Sequence, residues 1–275
     1  MPHNLPHSVA RGVRQPALAG RFYPADARRL RSQLAQWRDS APPAHAARFV
    51  LAPHAGYPYS GLTAAHAVAA LPESAPGRVW VLGPSHYHRF DGLARDTHDT
   101  WATPLGRNPL DHAAAHAAVD LWHDAGHAPH AGEHALEVEL PFIQHRYGEI
   151  PIVPLLFGGA ASPMHVAFGR ALARVLGPND VVVASSDLSH FYDEPSANTL
   201  DRHTLDTIVH ETPQVLAERN ATGACALCGS AAVVATMAAA EALGLDTRQL
   251  LNYRTSAQAT GDTTRVVGYG AAALG

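Results

Sequence analysis

The side chains able to hold a metal ion or move a proton stand at telling places in this chain. His54 follows the apolar run 48–52, and His86 follows the run 78–82. Asp187 and His190 follow a third run, 180–184. Histidine is the commonest metal ligand and proton shuttle near neutral pH. In open α/β sheets, ligands bind in the crevice beyond the carboxyl ends of the strands. Three strands could therefore bring His54, His86 and the Asp187/His190 pair to one place. Cys228 directly precedes the alanine-rich run 229–243. A thiol at a helix start faces unpaired N–H groups, which favour the thiolate. One thiolate beside two imidazoles makes a three-ligand face for Zn(II), copper or Fe(II), with positions left open for water or substrate. His134 and Glu137, three residues apart in a predicted helix, share a face as two ligands or as a histidine oriented by a carboxylate.

Each of these has a plainer reading. The chain holds 19 histidines, and loop histidines are then expected without any role. His112, His116, His123, His127 and His130 crowd a stretch that reads as a solvated helix and loop. A free cysteine is often just a small buried apolar residue. Cys225 and Cys228 form a C-x-x-C, but not after a first β-strand, where the thioredoxin-like redox motif belongs. Tyr57, Tyr59, Tyr87 and Phe191, close to these residues, could line an aromatic-tolerant pocket or simply cover the core.

Composition removes whole mechanisms. All 20 basic residues are arginine, so a Schiff-base lysine, a pyridoxal-phosphate linkage and a P-loop GK[ST] are excluded. Two cysteines exclude a disulfide-stapled scaffold and a four-cysteine metal site within one chain. Charged residues are 16%, below the usual ~25%, and the net charge is −4, so nothing suggests a nucleic-acid footprint. The start of the chain lacks the apolar core of a secretory signal, and the apolar stretch 231–240 is shorter than the roughly 18–20 residues that span a bilayer. A cytoplasmic protein with reduced thiols and no membrane contact is expected.

The elements that must position these residues read as α/β. The runs 48–52, 78–82, 150–157 and 180–184 are β-branched or aromatic-rich and do not alternate, as strands buried on both faces do. Helical patterns lie at 24–38, 61–71, 108–125, 134–147, 164–176 and 229–243. The alternation predicts a mostly parallel sheet flanked by helices on both faces. Residues 249–256 and 265–272 read as strands forming an antiparallel C-terminal edge. No linker divides the chain, so 1–275 is expected to be a single domain, with 1–20 as a surface arm.

Several separated motifs then point to one family. They are RQPALAGRFYP at 14–24, APHAGYPYSG at 52–61, GPSHYH at 83–88, WATPLGRNPLD at 101–111, EHALEVELPF at 133–142, SSDLSHF at 185–191 and CGS at 228–230. In this order they resemble the MEMO family, named in bacteria and archaea AmmeMemoRadiSam system protein B. The resemblance covers essentially the whole chain and implies the sandwich fold of class III extradiol dioxygenases with a single metal centre. It puts His54 and His86 at the two metal-ligating histidines of those enzymes, and Cys228 where they have a glutamate. It puts His190 at their acid/base histidine, with Asp187 accompanying it. His134 and Glu137 match an EHSLE segment of the family in which Ala135 replaces serine.

A 2-His-1-carboxylate face is the usual Fe(II) oxygenase site, and a thiolate in place of the carboxylate shifts preference toward copper or zinc while leaving Fe(II) in play. Ring-cleaving activity therefore does not transfer with the fold. Two readings of function follow. In the first, His54, His86 and Cys228 hold one Fe(II), copper or zinc ion, and His190, Asp187, His134 and Glu137 serve an oxidoreductase or oxygen-linked reaction of a small aromatic substrate. In the second, the crevice is a degenerate site of a non-catalytic binding module that holds a ligand or partner peptide. The resemblance implies radical-SAM and AMMECR1-domain partner proteins, and peptide binding among eukaryotic members. A zinc hydrolase using the same ligands is chemically reasonable but draws nothing from the resemblance.

Overall fold

The structure, a computed structural model, describes residues 12–42 and 46–275. Its strands are β1 (Val13–Arg14), β2 (Phe49–Ala52), β3 (Val79–Pro84), β4 (Leu93–Arg95), β5 (Thr100–Thr103), β6 (Gly106–Pro109), β7 (Ile152–Phe157), β8 (Val181–Ser185), β9 (His190–Tyr192), β10 (Arg248–Thr255) and β11 (Val266–Leu274). Its α-helices are α1 (Ala27–Ser40), α2 (Tyr57–Ala69), α3 (His112–Val119), α4 (Leu140–Tyr147), α5 (Pro163–Leu172), α6 (Glu194–His210), α7 (Pro213–Ala221), α8 (Ser230–Ala242) and α9 (Ala257–Thr260).

The main sheet runs β10-β11-β2-β8-β3-β7-β4, with β9 paired to β11. Successive side chains of a strand point to opposite faces, and the central strands follow that period strictly. Phe49, Leu51, Trp80, Leu82, Val182 and Ala184 enter one core, under α3, α5, α7 and α8. Val50, Ala52, Val79, Val81, Val181 and Val183 enter the other, under α1, α2 and α4. Both faces are covered, which is why these strands read as unbroken apolar runs. Helix α8 is buried along nearly its whole length, and its alanines let it pack closely on α5 and the sheet. Among the described residues no helix is long and apolar enough to cross a membrane.

The sheet is mixed, not mostly parallel. Strands β2, β8, β3 and β7 are mutually parallel. Strand β11 joins β2 antiparallel, β10 joins β11 antiparallel, and the three-residue β4 joins β7 antiparallel. The return of the chain through the 256–265 turn reverses one side of the sheet, and β4 is too short to show a pattern in sequence.

Residues 1–11 of the expected surface arm lie outside the described residues, and residues 12–20 are not a surface arm. Strand β1 pairs parallel with β5, which forms a hairpin with β6. Arg14 and Leu18 are buried. Helices α6 and α7 were not legible as hydrophobic stripes because α6 buries polar Asp201, Thr204 and Thr207. Their starts are nonetheless marked: Asp193 and Thr212 cap them by accepting backbone N–H groups, each with proline in the first turn.

Candidate metal centre

Three adjacent parallel strands set the geometry. Strand β8 lies between β2 and β3, with Ala52 opposite Ser185 and Leu82 opposite Ala184. The segments leaving their carboxyl ends carry His54, Asp187 and His86. The Cys228 loop reaches the same place because Gly229 packs directly on the end of β8: a Cβ there would run into the Ser185 carbonyl oxygen. Two reciprocal bonds fix the loop. The Asp187 amide donates to the Cys228 Sγ at 3.2 Å, and the Cys228 amide donates to the Asp187 carbonyl at 3.2 Å.

His54, His86 and Cys228 each offer a ligand atom, and these atoms lie within 4.8 Å of one another. His54 is buried at the floor, Cys228 is half-buried, and His86 is exposed at the mouth. The Cys228 Sγ is 3.2 Å from His54 Nε2. Beside them opens a cavity of about 630 Å³, whose lining includes His86, Cys228, His88, Arg89 and Phe157. His134 completes a cluster of imidazoles, its ring stacked 4.4 Å from that of His86 and edge-on 5.4 Å from that of His54.

Glu133 organises the mouth. Its buried carboxylate accepts the His86 amide at 2.6 Å and faces His86 Nδ1 at 3.0 Å. It also accepts the amides of His134 and Ala135. Burial raises this carboxyl, but the bonds from His86 and Ala135 outweigh it and hold it down at about 2. An ionised carboxylate only accepts, so His86 Nδ1 carries a hydrogen and Nε2 is the ring atom left to bind a metal. Glu133 also forms a second candidate cluster with His86 and His134. There the carboxylate is already engaged by N–H donors, whereas the His54/His86/Cys228 set has lone pairs to offer.

Burial, reinforced by His86, pushes His54 down to about 3, so its imidazole is neutral. Burial, reinforced by His54, pushes His134 down to about 4. The Cys228 thiol moves opposite to the helix-start expectation. Burial, with the Asp187 carboxylate second, pushes it up to about 12. Gly229 caps α8 beside it, yet the helix terminus does not overcome that burial. A bound cation is the kind of charge that would offset it, since a coordinating thiol is deprotonated outright. Two imidazoles and one sulfur suit a borderline metal ion, so these residues fit the group that the family resemblance implies.

Comparison with known families decides what kind of chain this is. The profile of the family described as Memo-like protein matches residues 14–273. The chain belongs to the Memo-like family. It is 36% identical over 276 residues to a MEMO1 family protein of Methanopyrus kandleri, covering 94% of this chain and 97% of that one. It is 35% identical over 271 residues to a MEMO1 family protein of Methanosarcina acetivorans, covering 94% and 98%. In fold it is similar to the crystal structure of an uncharacterized Escherichia coli K12 protein, with a TM-score of 0.53 at 15% identity over 76% of this chain and 89% of that one.

Within this Memo-like chain the remaining candidate residues separate. His134 lies in a loop, and the expected helix begins only at a 3₁₀ turn over Glu137–Glu139 that leads into α4. His134 and Glu137 therefore do not share a helical face. Glu137 is fully buried and turned to the segment Arg14–Tyr23, where it accepts from Arg14 at 2.6 Å, from the amides of Ala17 and Leu18, and from the Tyr23 hydroxyl. Asp187 is buried and accepts the His54 amide at 2.8 Å. Burial raises its carboxyl and the nearby His190 opposes the rise. Cys225 is buried away from the cluster, with its Sγ 3.5 Å from Thr207 Oγ1.

Three site residues escaped the sequence reading: Glu133, Ser185 and Glu139. Glu133 and Glu139 stand inside EHALEVELPF and Ser185 opens SSDLSHF, so the motifs marked the segments without marking these side chains.

Proposed function

We propose that this Memo-like protein holds one redox-active or divalent metal ion through His54 Nε2, His86 Nε2 and Cys228 Sγ, and acts on a small, aromatic or phenolic molecule in the adjoining cavity. The observation that carries this reading is the meeting of three ligand atoms within 4.8 Å at the strand ends, beside an open cavity. Fe(II) or copper suits the donor set best, with zinc as the alternative. The bound ion would supply Lewis acidity and electron transfer.

The chain's own residues would do the rest. Glu133 orients His86, and the Asp187 carboxylate holds the His54 amide. His190 would take or return a proton, and His134 would meet the substrate as a neutral imidazole. Phe157 and the stems of Arg89 and His88 would close the cavity around an aromatic ring.

Metal analysis of untagged protein tests the site. Cys228→Ala should abolish stoichiometric metal, and unchanged metal in that variant would sink the assignment. Fe(II) loading without oxygen, followed by oxygen uptake with a panel of catechols, tests the chemistry; uptake should depend on His190.

A second reading, a binding module for a peptide of a radical-SAM or AMMECR1-domain partner, draws on two aromatic side chains. Tyr87 is 60% and Phe191 62% exposed, one against His134 and the other beside His190. No oxygen uptake, together with capture of such a partner by the His190→Ala variant, would favour it.

A further inference from the structure

Ser185 has more polar neighbours than it has hydrogens to share. Its Oγ lies 2.6 Å from the Ala135 carbonyl oxygen, 2.8 Å from His54 Nδ1 and 3.0 Å from Glu139 Oε1. A hydroxyl has one hydrogen and two lone pairs. The Ala135 carbonyl can only accept, so the shortest of these contacts takes the Ser185 hydrogen. The other two contacts must then be donations into the two lone pairs. One comes from His54, which requires the hydrogen on Nδ1. The other comes from Glu139, which requires a carboxylic acid and not a carboxylate. Any other assignment leaves two bare oxygens, or an oxygen and an imine nitrogen, facing each other in a buried place.

We propose that Ser185, held by the protonated Glu139 and by the Ala135 carbonyl, is a positioning residue that locks His54 in its Nδ1–H tautomer and turns the Nε2 lone pair toward Cys228. Its consequence for metal binding rests on the reading of His54 as a ligand; the tautomer itself does not. Glu139 is wholly buried, and its second oxygen has no partner among the described residues. That burial pushes its carboxyl up to about 8, which agrees with the hydrogen count. Glu133 fixes His86 in the same sense through a carboxylate. The two histidines would thus be oriented by opposite devices, a charged acceptor at the exposed mouth and a neutral hydroxyl at the buried floor, where a second charge would be costly.

Long-range ¹H–¹⁵N spectra of the chelator-stripped protein read the tautomer directly, with the His54 ring assigned from a His54→Gln variant. His54 should show hydrogen on Nδ1 in the wild type. Ser185→Ala should convert it to the Nε2–H form or a mixture and weaken metal binding about 10–100-fold, the usual cost of losing such a partner. Ser185→Thr, which keeps the hydroxyl, should restore both. Infrared spectra should show a protonated-carboxyl stretch that disappears in Glu139→Gln, while that variant keeps the wild-type tautomer because its amide still donates. Hydrogen on Nε2 in the wild type, or no carboxyl band lost in Glu139→Gln, overturns the proposal. A Nδ1–H tautomer in a protein that takes up no metal would overturn the metal reading and leave the tautomer assignment standing.

Discussion

Glu133 and His86 are joined at two points: the carboxylate accepts the His86 amide at 2.6 Å and faces its ring Nδ1 at 3.0 Å. The first bond fixes the backbone beyond β3 and the second fixes the ring, so one side chain aims the most exposed member of the cluster. Glu133→Gln is nearly isosteric but turns an NH₂ group toward N–H donors. Metal affinity should fall about 10–100-fold, measured by competition with a chelator of known strength. Unchanged affinity would show that His86 needs no such anchor.

The Arg14–Glu137 pair is structural. It meets the segment of the cluster through the backbone, where Arg14 Nη2 donates to the Glu133 carbonyl oxygen at 3.1 Å, and the hydrogen bonds to the Glu137 carboxylate come from the segment Arg14–Tyr23. Removing one partner of a buried ion pair strands the other and costs about 3–5 kcal/mol. Arg14 also stacks 4.2 Å above the Trp101 ring, so Arg14→Ala should lose packing as well. Both Arg14→Ala and Glu137→Gln should lower the urea midpoint while stoichiometric metal is retained. Loss of metal or of oxygen uptake at undiminished stability would return Glu137 to the site.

What was legible in the sequence follows from burial and from range. Strands β2, β3 and β8 are covered on both faces, so Phe49–Ala52, Val79–Leu82 and Val181–Ala184 stood out as apolar runs, and His54, His86 and Asp187 stood out at their ends. The mixed sheet did not, because the three-residue β4 and the pairing of β11 with β2 are set by tertiary contact alone. Glu137 was misplaced for a related reason. Its partner Arg14 is 123 residues away, and helical spacing describes only local neighbours. The Cys228 shift also went unseen: a helix start is visible in sequence, but the burial that outweighs it is not.

Reactivity of Cys228 should follow that shift. With the thiol pushed up to about 12, the metal-free protein at pH 7.5 holds almost no thiolate at this position. Alkylation by iodoacetamide should run on the order of a thousandfold slower than for an exposed cysteine of ordinary pKa. Mass spectrometry on wild type and Cys228→Ala separates this site from the buried Cys225. Rapid labelling of Cys228 at neutral pH in the stripped protein would mean that the helix terminus governs after all.

Glu139 should leave a signature in stability against pH. Its folded carboxyl is raised to about 8 from an ordinary 4.5. A raised folded value favours the protonated form, so the stabilising contribution is complete below 4.5 and is lost as pH rises toward 8. Between those values the unfolded chain ionises while the native protein stays protonated, and unfolding therefore releases a proton. Stability must fall with rising pH across the window, by at most about 1.4 kcal/mol per pH unit from this group. Glu139→Gln cannot ionise and should be free of that slope. Thermal or urea unfolding of the two metal-free proteins should show the variant gaining on the wild type from pH 5 to pH 8. Asp201, also raised by burial, slopes the same way in both proteins and cancels in the difference. Parallel profiles would place an ordinary carboxylate at Glu139 and remove the buried acid from the floor of the site.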